Sequence, residues 1–310
     1  MNNEEIRKYL AVIKKAVEFI ESKLDEKPLE QPPIKAKSVV ADNQPVAEKS
    51  PQFALREKHI SDLMAIDCWP DAIPSMIAKV SITDKDQLDR ANAVLATMLN
   101  RSLENLSFLD FGCGEGWIAK QAIGRGVKES YGYDIKESEK WQELNGVAFT
   151  NQFDNLPKKH FDAIMLYDVL DHCDNPILVM NQIKQVLKDD GIVYVRCHPW
   201  TSAHATHVFK QGLNKAYIHL FLTPLEIAKL TGQPQMFTRM EKDATPAYHW
   251  WFNQYKIQKE SFKTEKVSDF FYVPAFKELL ANEQRIPFNE IDDFLKRMEI
   301  QFIDYQLTNI

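Results

Sequence analysis

The sequence predicts an α/β fold: a doubly wound, mostly parallel sheet with a helical cap before it and a helical tail after it. Three observations lead there. Between Leu106 and Cys197, short apolar runs alternate with helical stretches, a pattern that needs right-handed crossovers and a parallel sheet covered on both faces. Directly after the first apolar run, "SFLDFGCGEGW" sets Gly112, Gly114 and Gly116 on alternate positions, where glycine allows a sharp turn or a close approach to something bulky. Hydrophobic residues make up 45% of the 310 residues, enough for a well-filled core.

The chain opens on a different pattern. Ile6, Leu10, Ile13, Val17, Ile20 and Leu24 follow a 4-3-4-3-4 spacing, a heptad seam of just under three repeats. We read residues 1–25 as an amphipathic or coiled-coil helix. Residues 26–52 carry five of the fifteen prolines and no periodicity, and read as a flexible linker of about 25–30 Å root-mean-square reach. A seamed helix on such a tether suits self-association or docking on a partner protein, and packing on its own domain is the plainer alternative.

Residues 53–105 read as a helical cap: "FALREKHISDLMAID", "SMIAKV" and "DKDQLDRANAVLATMLN". Residues 106–273 hold the alternating region. Its strands are "LSFLDFG", "ESYGYDI", "GVAFTNQ", "FDAIMLYD" and "GIVYVRC", followed by a histidine- and aromatic-rich connector, a helix "TPLEIAKL" ending at Gly232, and strand-like sequence that includes "HWWFNQYKIQ". Residues 274–310 read as two C-terminal helices. The formal charge of −6 argues against a broad nucleic-acid-binding face. Cys68, Cys113, Cys173 and Cys197 form no C-x-x-C pair, no apolar run approaches a membrane span, and the first residues lack a signal-peptide layout, so a cytoplasmic setting is expected.

The glycine turn fits a dinucleotide fingerprint poorly, because the third glycine comes early and Trp117 stands where it is wanted. "LDFGCGEGWIA" instead resembles the "LDxGCGxGxxA" turn of class I S-adenosylmethionine-dependent methyltransferases, which have a Rossmann-like sheet. The resemblance runs through further segments in order over roughly residues 105–235. Asp134 in "YGYDI" lies 24 residues past Asp110; "NQFDNLPKKHFDAIMLYDVLDHCDNP" is similar to the small-molecule "VLEH" type; "VLKDDGIVYVRCHP" has Asp189-Asp190 where the family has Pro-Gly; "HLFLTPLEIAKLTG" completes the set.

The resemblance implies S-adenosyl-L-methionine as cofactor. It would be held by Asp110, Gly112, Cys113, Gly114 and Gly116, by Asp134 and Ile135, and by Gln152, Phe153 and Tyr167. A carboxylate at Asp134 suits a ribose diol, which it can accept two hydrogen bonds from. Gln152 stands where the family often has an acidic adenine contact, with Asp154 as its rival. His198, just after the "IVYVRC" strand, is the candidate general base, against the alternative that it caps the strand. His172, Trp200 and Tyr217 are candidates for the acceptor pocket, against the alternative that they are core. The cluster Cys197, His198, His204, His207 and His219 matches no structural zinc spacing, and methyl transfer needs no metal, so none is expected. The implied activity is methyl transfer to oxygen or nitrogen of a small or medium-sized acceptor. A catalytically silent assembly module and a protein or RNA methyltransferase are the rival readings. Nucleic acid is disfavoured by the acidic charge and by "YDVLDH" where an "NPPY"-type motif would stand.

Overall fold

The computed structural model describes residues 51–73, 83–203, 205–233 and 244–310. The seam helix of residues 1–25, the linker up to residue 50, "SMIAKV" and His204 lie outside the described residues. Contacts divide the chain into two units, and elements are numbered along the chain.

The smaller unit joins the segment ending at Pro70 to Ser268–Phe288. It holds α1 (Pro51–Met64) and α7 (Pro274–Gln284). Trp69 is its centre, with ring centroids 5.3 Å from Phe270 and 5.8 Å from both Phe271 and Phe276. Such tilted and edge-on aromatic packing stabilises by about 0.5–1.5 kcal/mol per pair beyond area burial.

The larger unit comprises Asp71–Val267 and Asn289–Ile310. Its helices are α2 (Asp84–Met98), α3 (Trp117–Gly124), α4 (Pro176–Val186), α5 (Pro224–Thr231), α6 (Ala244–Trp251) and α8 (Ile291–Met298). Its strands are β1 (Ser107–Phe111), β2 (Glu129–Tyr133), β3 (Val147–Thr150), β4 (Phe161–Tyr167), β5 (Leu187–Cys197), β6 (Tyr255–Thr264) and β7 (Ile300–Asn309). Among the described residues they form one seven-stranded sheet in the order β3-β2-β1-β4-β5-β7-β6. β1 to β5 run parallel, and β7 lies antiparallel between β5 and β6. β1 is buried along its whole length, as a central strand covered on both faces must be. The strand order reverses between β1 and β4, and a crevice opens beyond the carboxyl ends of the strands at such a point.

Helix ends follow local chemistry. Thr83 caps α2 and shares a reciprocal pair of bonds with Asp86, and Thr223 with Glu226 does the same for α5, where Pro224 takes the first turn and Gly232 the left-handed stop. Asn175 caps α4.

The secondary structure differs from the sequence reading in two places. The chain ends in a strand, not in helix: residues 300–309 form β7. Ile303, Tyr305 and Leu307 alternate on the buried period of two, but Gln301 and Gln306 are buried between and beside them and disguise that period. Tyr248, Trp251 and Phe252 pack into the sheet core from a helix and the turn after it, and β6 starts only at Tyr255. Aromatic content there favoured strand, while the spacing of Tyr248 and Trp251 suits one helix face.

Candidate functional site

The first strand ends on Asp110 and Phe111, and the chain turns into α3 through three glycines, all with positive φ: Gly112 at 77°, Gly114 at 53° and Gly116 at 91°. They do different work. A Cβ on Gly112 would lie 2.4 Å from Val169 Cγ2, and one on Gly116 would lie 2.4 Å from the Phe149 ring. A Cβ on Gly114 would meet nothing within 4 Å. Packing therefore demands Gly112 and Gly116, while Gly114 faces open space. Two bonds fix the exposed loop from the side: Gly114 N–H donates to Asp134 Oδ2 at 2.9 Å, and Trp141 Nε1–H donates to the Gly114 carbonyl at 2.8 Å. Asp134 Oδ1 also accepts from Lys136 N–H at 3.0 Å.

Three cavities ring this loop. One of about 170 Å³ lies over Asp110, Gly112, Cys113 and Gly114, and is walled by Gln87, Arg90, Trp117 and Tyr167. A broader one of about 660 Å³ runs past Gly114, Asp134 and Lys140. The third, about 240 Å³, lies between Gly112, Asp134 and Ile135 on one side and Asp168, His172 and Cys173 on the other. Asp110 is 2% exposed, and among the described residues its buried Oδ2 has no hydrogen-bond partner. Burial raises its pKa to about 7, against a bond from the Ala119 amide. Burial likewise pushes the Cys113 thiol up, followed by the charges of Asp110 and Asp134, so it is no nucleophile at neutral pH. Ile135 is 85% exposed, a large apolar side chain left uncovered at the cavity edge.

Beyond β4 the polar groups crowd. Asp168 adopts a left-handed φ of 55° and lines the third cavity. Behind it His198 is 2% exposed, with Nε2 3.2 Å from Asp168 Oδ1, and Nδ1 donating to the Gln301 carbonyl at 3.1 Å. A carbonyl only accepts, so Nδ1 carries a proton. Burial opposes charge on both groups, but their mutual attraction prevails, raising His198 and lowering Asp168. The His198 amide donates to Asp171 Oδ2 at 3.0 Å, and burial, then the Asp168 charge, raises Asp171 to about 7. His172 and His207 pair through their Nε2 atoms at 3.2 Å, one donating and one accepting; burial lowers them to about 4 and about 2.

The structure thus brings Asp110, Gly112, Cys113, Gly114, Asp134, Ile135, Tyr167 and His172 to the cavities. It does not bring all the expected residues there. Gly116 is buried beside Phe149. Gln152 and Phe153 stand beyond the end of β3, outside the lining of the three cavities, with Lys158 Nζ 4.2 Å over the Phe153 ring. His198 lies behind Asp168. Trp200 and Tyr217 are buried in the connector: the Trp200 carbonyl meets His219 Nε2 at 2.7 Å, and Tyr217 OH donates to the Met298 carbonyl at 3.0 Å. Asp168 was visible in "YDVLDH", but nothing in the pattern marked it. Arg90 and Gln87 carried no signal, and Gln301 lay in the segment read as helix.

The sheet order and the glycine turn at the β1/β4 switch point define a Rossmann-like α/β protein with cavities around the turn at that point. The family model described as "Methyltransferase domain" matches residues 84–255, and the chain belongs to that family. It is a class I S-adenosylmethionine-dependent methyltransferase. No curated protein sequence matches the chain. Among solved structures, it is similar to an S-adenosylmethionine-dependent methyltransferase from Mesorhizobium loti (18% identity, 71% of this chain and 99% of that chain, TM-score 0.44). It is also similar to the Burkholderia thailandensis 1,6-didemethyltoxoflavin-N1-methyltransferase (14% identity, 86% and 93%, TM-score 0.40).

Proposed function

We propose that this methyltransferase acts on oxygen or nitrogen of a small or medium-sized acceptor, with the donor seated over Gly114 and the acceptor entering at Asp168. The observation that carries the donor placement is the orphaned, buried Asp110 Oδ2 facing a cavity beside the open Gly114. A carboxylate oxygen with no partner suits the donor's ammonium, and Arg90 across the same cavity suits its carboxylate. Asp134 still has lone pairs for a ribose diol, and the uncovered Ile135 offers an apolar face to the adenine. Gln152 and Phe153 are proposed for the adenine edge on position in the chain alone.

When bound, the cofactor supplies the electrophilic methyl carbon of a sulfonium. The residues then need only align the two centres and take up a proton. His198 already holds a proton on Nδ1 and faces a carboxylate with Nε2, so we assign it to positioning. Asp168, kept ionised by His198, is the group that meets the acceptor's proton.

Incubating the full chain with methyl-labelled S-adenosylmethionine and a small-metabolite extract tests this reading. Label in low-mass products, strongly reduced in Asp168→Asn, is expected; label found only in protein or RNA contradicts it. Donor affinity should also depend on pH. The raised pKa means that the neutral acid at Asp110 is favoured up to about 7. Folding is therefore opposed by this group as pH rises from 3.8 to about 7, and a cationic ligand must displace its proton below that value. Calorimetry between about pH 5 and 7 should show affinity rising with pH in the parent, and a flat profile in Asp110→Asn.

Among the described residues no helix is long and apolar enough to cross a membrane. A cytoplasmic setting is part of the proposal, supported by four free cysteines. So is association through residues 1–25. Deleting residues 1–50 is expected to lower the oligomeric mass seen by light scattering and to leave donor affinity unchanged; a full-length monomer that retains no partner through this segment contradicts it.

A further inference from the structure

Among the three turn glycines, only Gly114 has open space where a side chain would stand. Val169 confines Gly112 and Phe149 confines Gly116, but no such contact fixes Gly114 in its left-handed φ of 53°. What holds it is the bonding of its two polar backbone groups, and both strong partners are side chains. The N–H donates to Asp134 Oδ2 at 2.9 Å, and the carbonyl accepts from Trp141 Nε1–H at 2.8 Å. The Cys113 thiol reaches the same carbonyl only at 3.8 Å. Asp134 has a place in the proposed donor site; Trp141 has none.

Trp141 comes from the 3₁₀ turn Glu139–Gln142 between β2 and β3, which Ser138 caps. Its indole lies parallel to the Phe149 ring, with centroids 5.1 Å apart and planes 6° from parallel, an offset stack. Phe149 belongs to β3, and its ring is the group that bars a Cβ at Gly116, by 2.4 Å, and at Gly132 of β2, by 2.5 Å. The ring is therefore seated against the start of α3 and the middle of β2. Trp141 carries that fixed position to the crest of the glycine turn through one hydrogen bond. It lines none of the three cavities, so it acts on a ligand only through Gly114, which borders two of them.

We propose that Trp141 is a positioning residue for the donor: its indole N–H fixes the Gly114 carbonyl so that the crest of the turn is already in place when the donor arrives. This rests on the donor-site reading. Without the bond, a glycine with open space around it samples many backbone conformations, and binding must then bear the cost of ordering it.

The test uses the full chain and S-adenosylhomocysteine. Trp141→Phe and Trp141→Tyr keep a ring for the Phe149 stack and lose the indole N–H. Calorimetry should show binding about three- to tenfold weaker in both, as for loss of one neutral hydrogen bond. Trp250→Phe, which changes an exposed indole outside the cavities, should bind as the parent does. A spectroscopic readout separates positioning from packing. In the parent labelled on tryptophan nitrogen, the indole N–H signal that is missing from the Trp141 variants should move on saturation with S-adenosylhomocysteine, and the signal missing from Trp250→Phe should stay. Parental affinity in both Trp141 variants, even with a lowered urea midpoint, overturns the proposal, as does a Trp141 signal that does not move. Failure of S-adenosylhomocysteine to bind the parent removes the donor site and the proposal with it, whereas parental binding with unchanged affinity in the variants removes the proposal alone.

Discussion

Gly114→Val is expected to abolish cofactor binding in a protein that still folds, whereas Gly112→Ala and Gly116→Ala are expected to fail at folding. The three glycines lie within five residues and share positive φ, yet their surroundings separate them. At Gly112 and Gly116 an added methyl meets Val169 and Phe149 at 2.4 Å, so even alanine forces core side chains to shift. Left-handed strain of about 1–2 kcal/mol adds to overpacking of about 1–3 kcal/mol. At Gly114 only the strain applies, and the valine side chain projects into the open space proposed for the donor. Urea unfolding should place Gly114→Val within about 2 kcal/mol of the parent. Calorimetry should then show no donor binding by that variant. Gly114→Val with parental affinity would mean that the open face of the loop is not the donor's side.

The second large effect falls on the Asp168–His198 pair. Removing one member of a buried pair leaves an uncompensated charge at a cost of about 3–5 kcal/mol. His198→Ala should therefore be the least stable single variant at this site, with Asp168 and Asp171 left facing one another. Asp168→Asn keeps the shape and removes the charge. It should lower turnover by about 10²–10⁴, as loss of a proton acceptor does, with a much smaller change in donor affinity. The pH window follows from the directions of the shifts. The raised His198 contributes fully below its ordinary 6.5 and loses that contribution as pH rises through its folded value. The lowered Asp168 contributes fully above 3.8 and loses it as pH falls through its folded value. The stability difference between parent and Asp168→Asn should thus be largest from about pH 4 to 6.5 and shrink above that range. A difference that grows toward alkaline pH would contradict an ion pair.

The parallel half of the sheet was readable because its strands are apolar runs punctuated by turns, and the glycine turn before α3 because glycine spacing is a local signal. What escaped was set by distant partners. β7 places Gln301, Asp304 and Gln306 in buried or half-buried positions that read as polar surface until Ala203, Arg196 and Asn100 are seen to bond them. His198 was visible as a histidine after a strand, but its burial and its bond to Gln301, 103 positions away, were not. Asp168 takes its charge state from that histidine. Trp200 and Tyr217 had the right composition for a pocket and are packed in the connector instead, because periodicity is silent about which way an irregular segment turns its side chains. The separate duties of the three glycines depend on Val169 and Phe149, which no spacing rule connects to them.

The most direct test of the central claim, that the donor lies over Gly114 and against Asp134, is a calorimetric titration of S-adenosylhomocysteine into the parent and Asp134→Ala. The Asp134 carboxylate holds the Gly114 and Lys136 amides and is proposed to receive the ribose diol. Its removal should weaken binding by about 1.5–3 kcal/mol, roughly ten- to a hundredfold. Saturable binding by the parent with that loss in the variant is the predicted result. No binding by the parent, or equal affinity in both proteins, would contradict it.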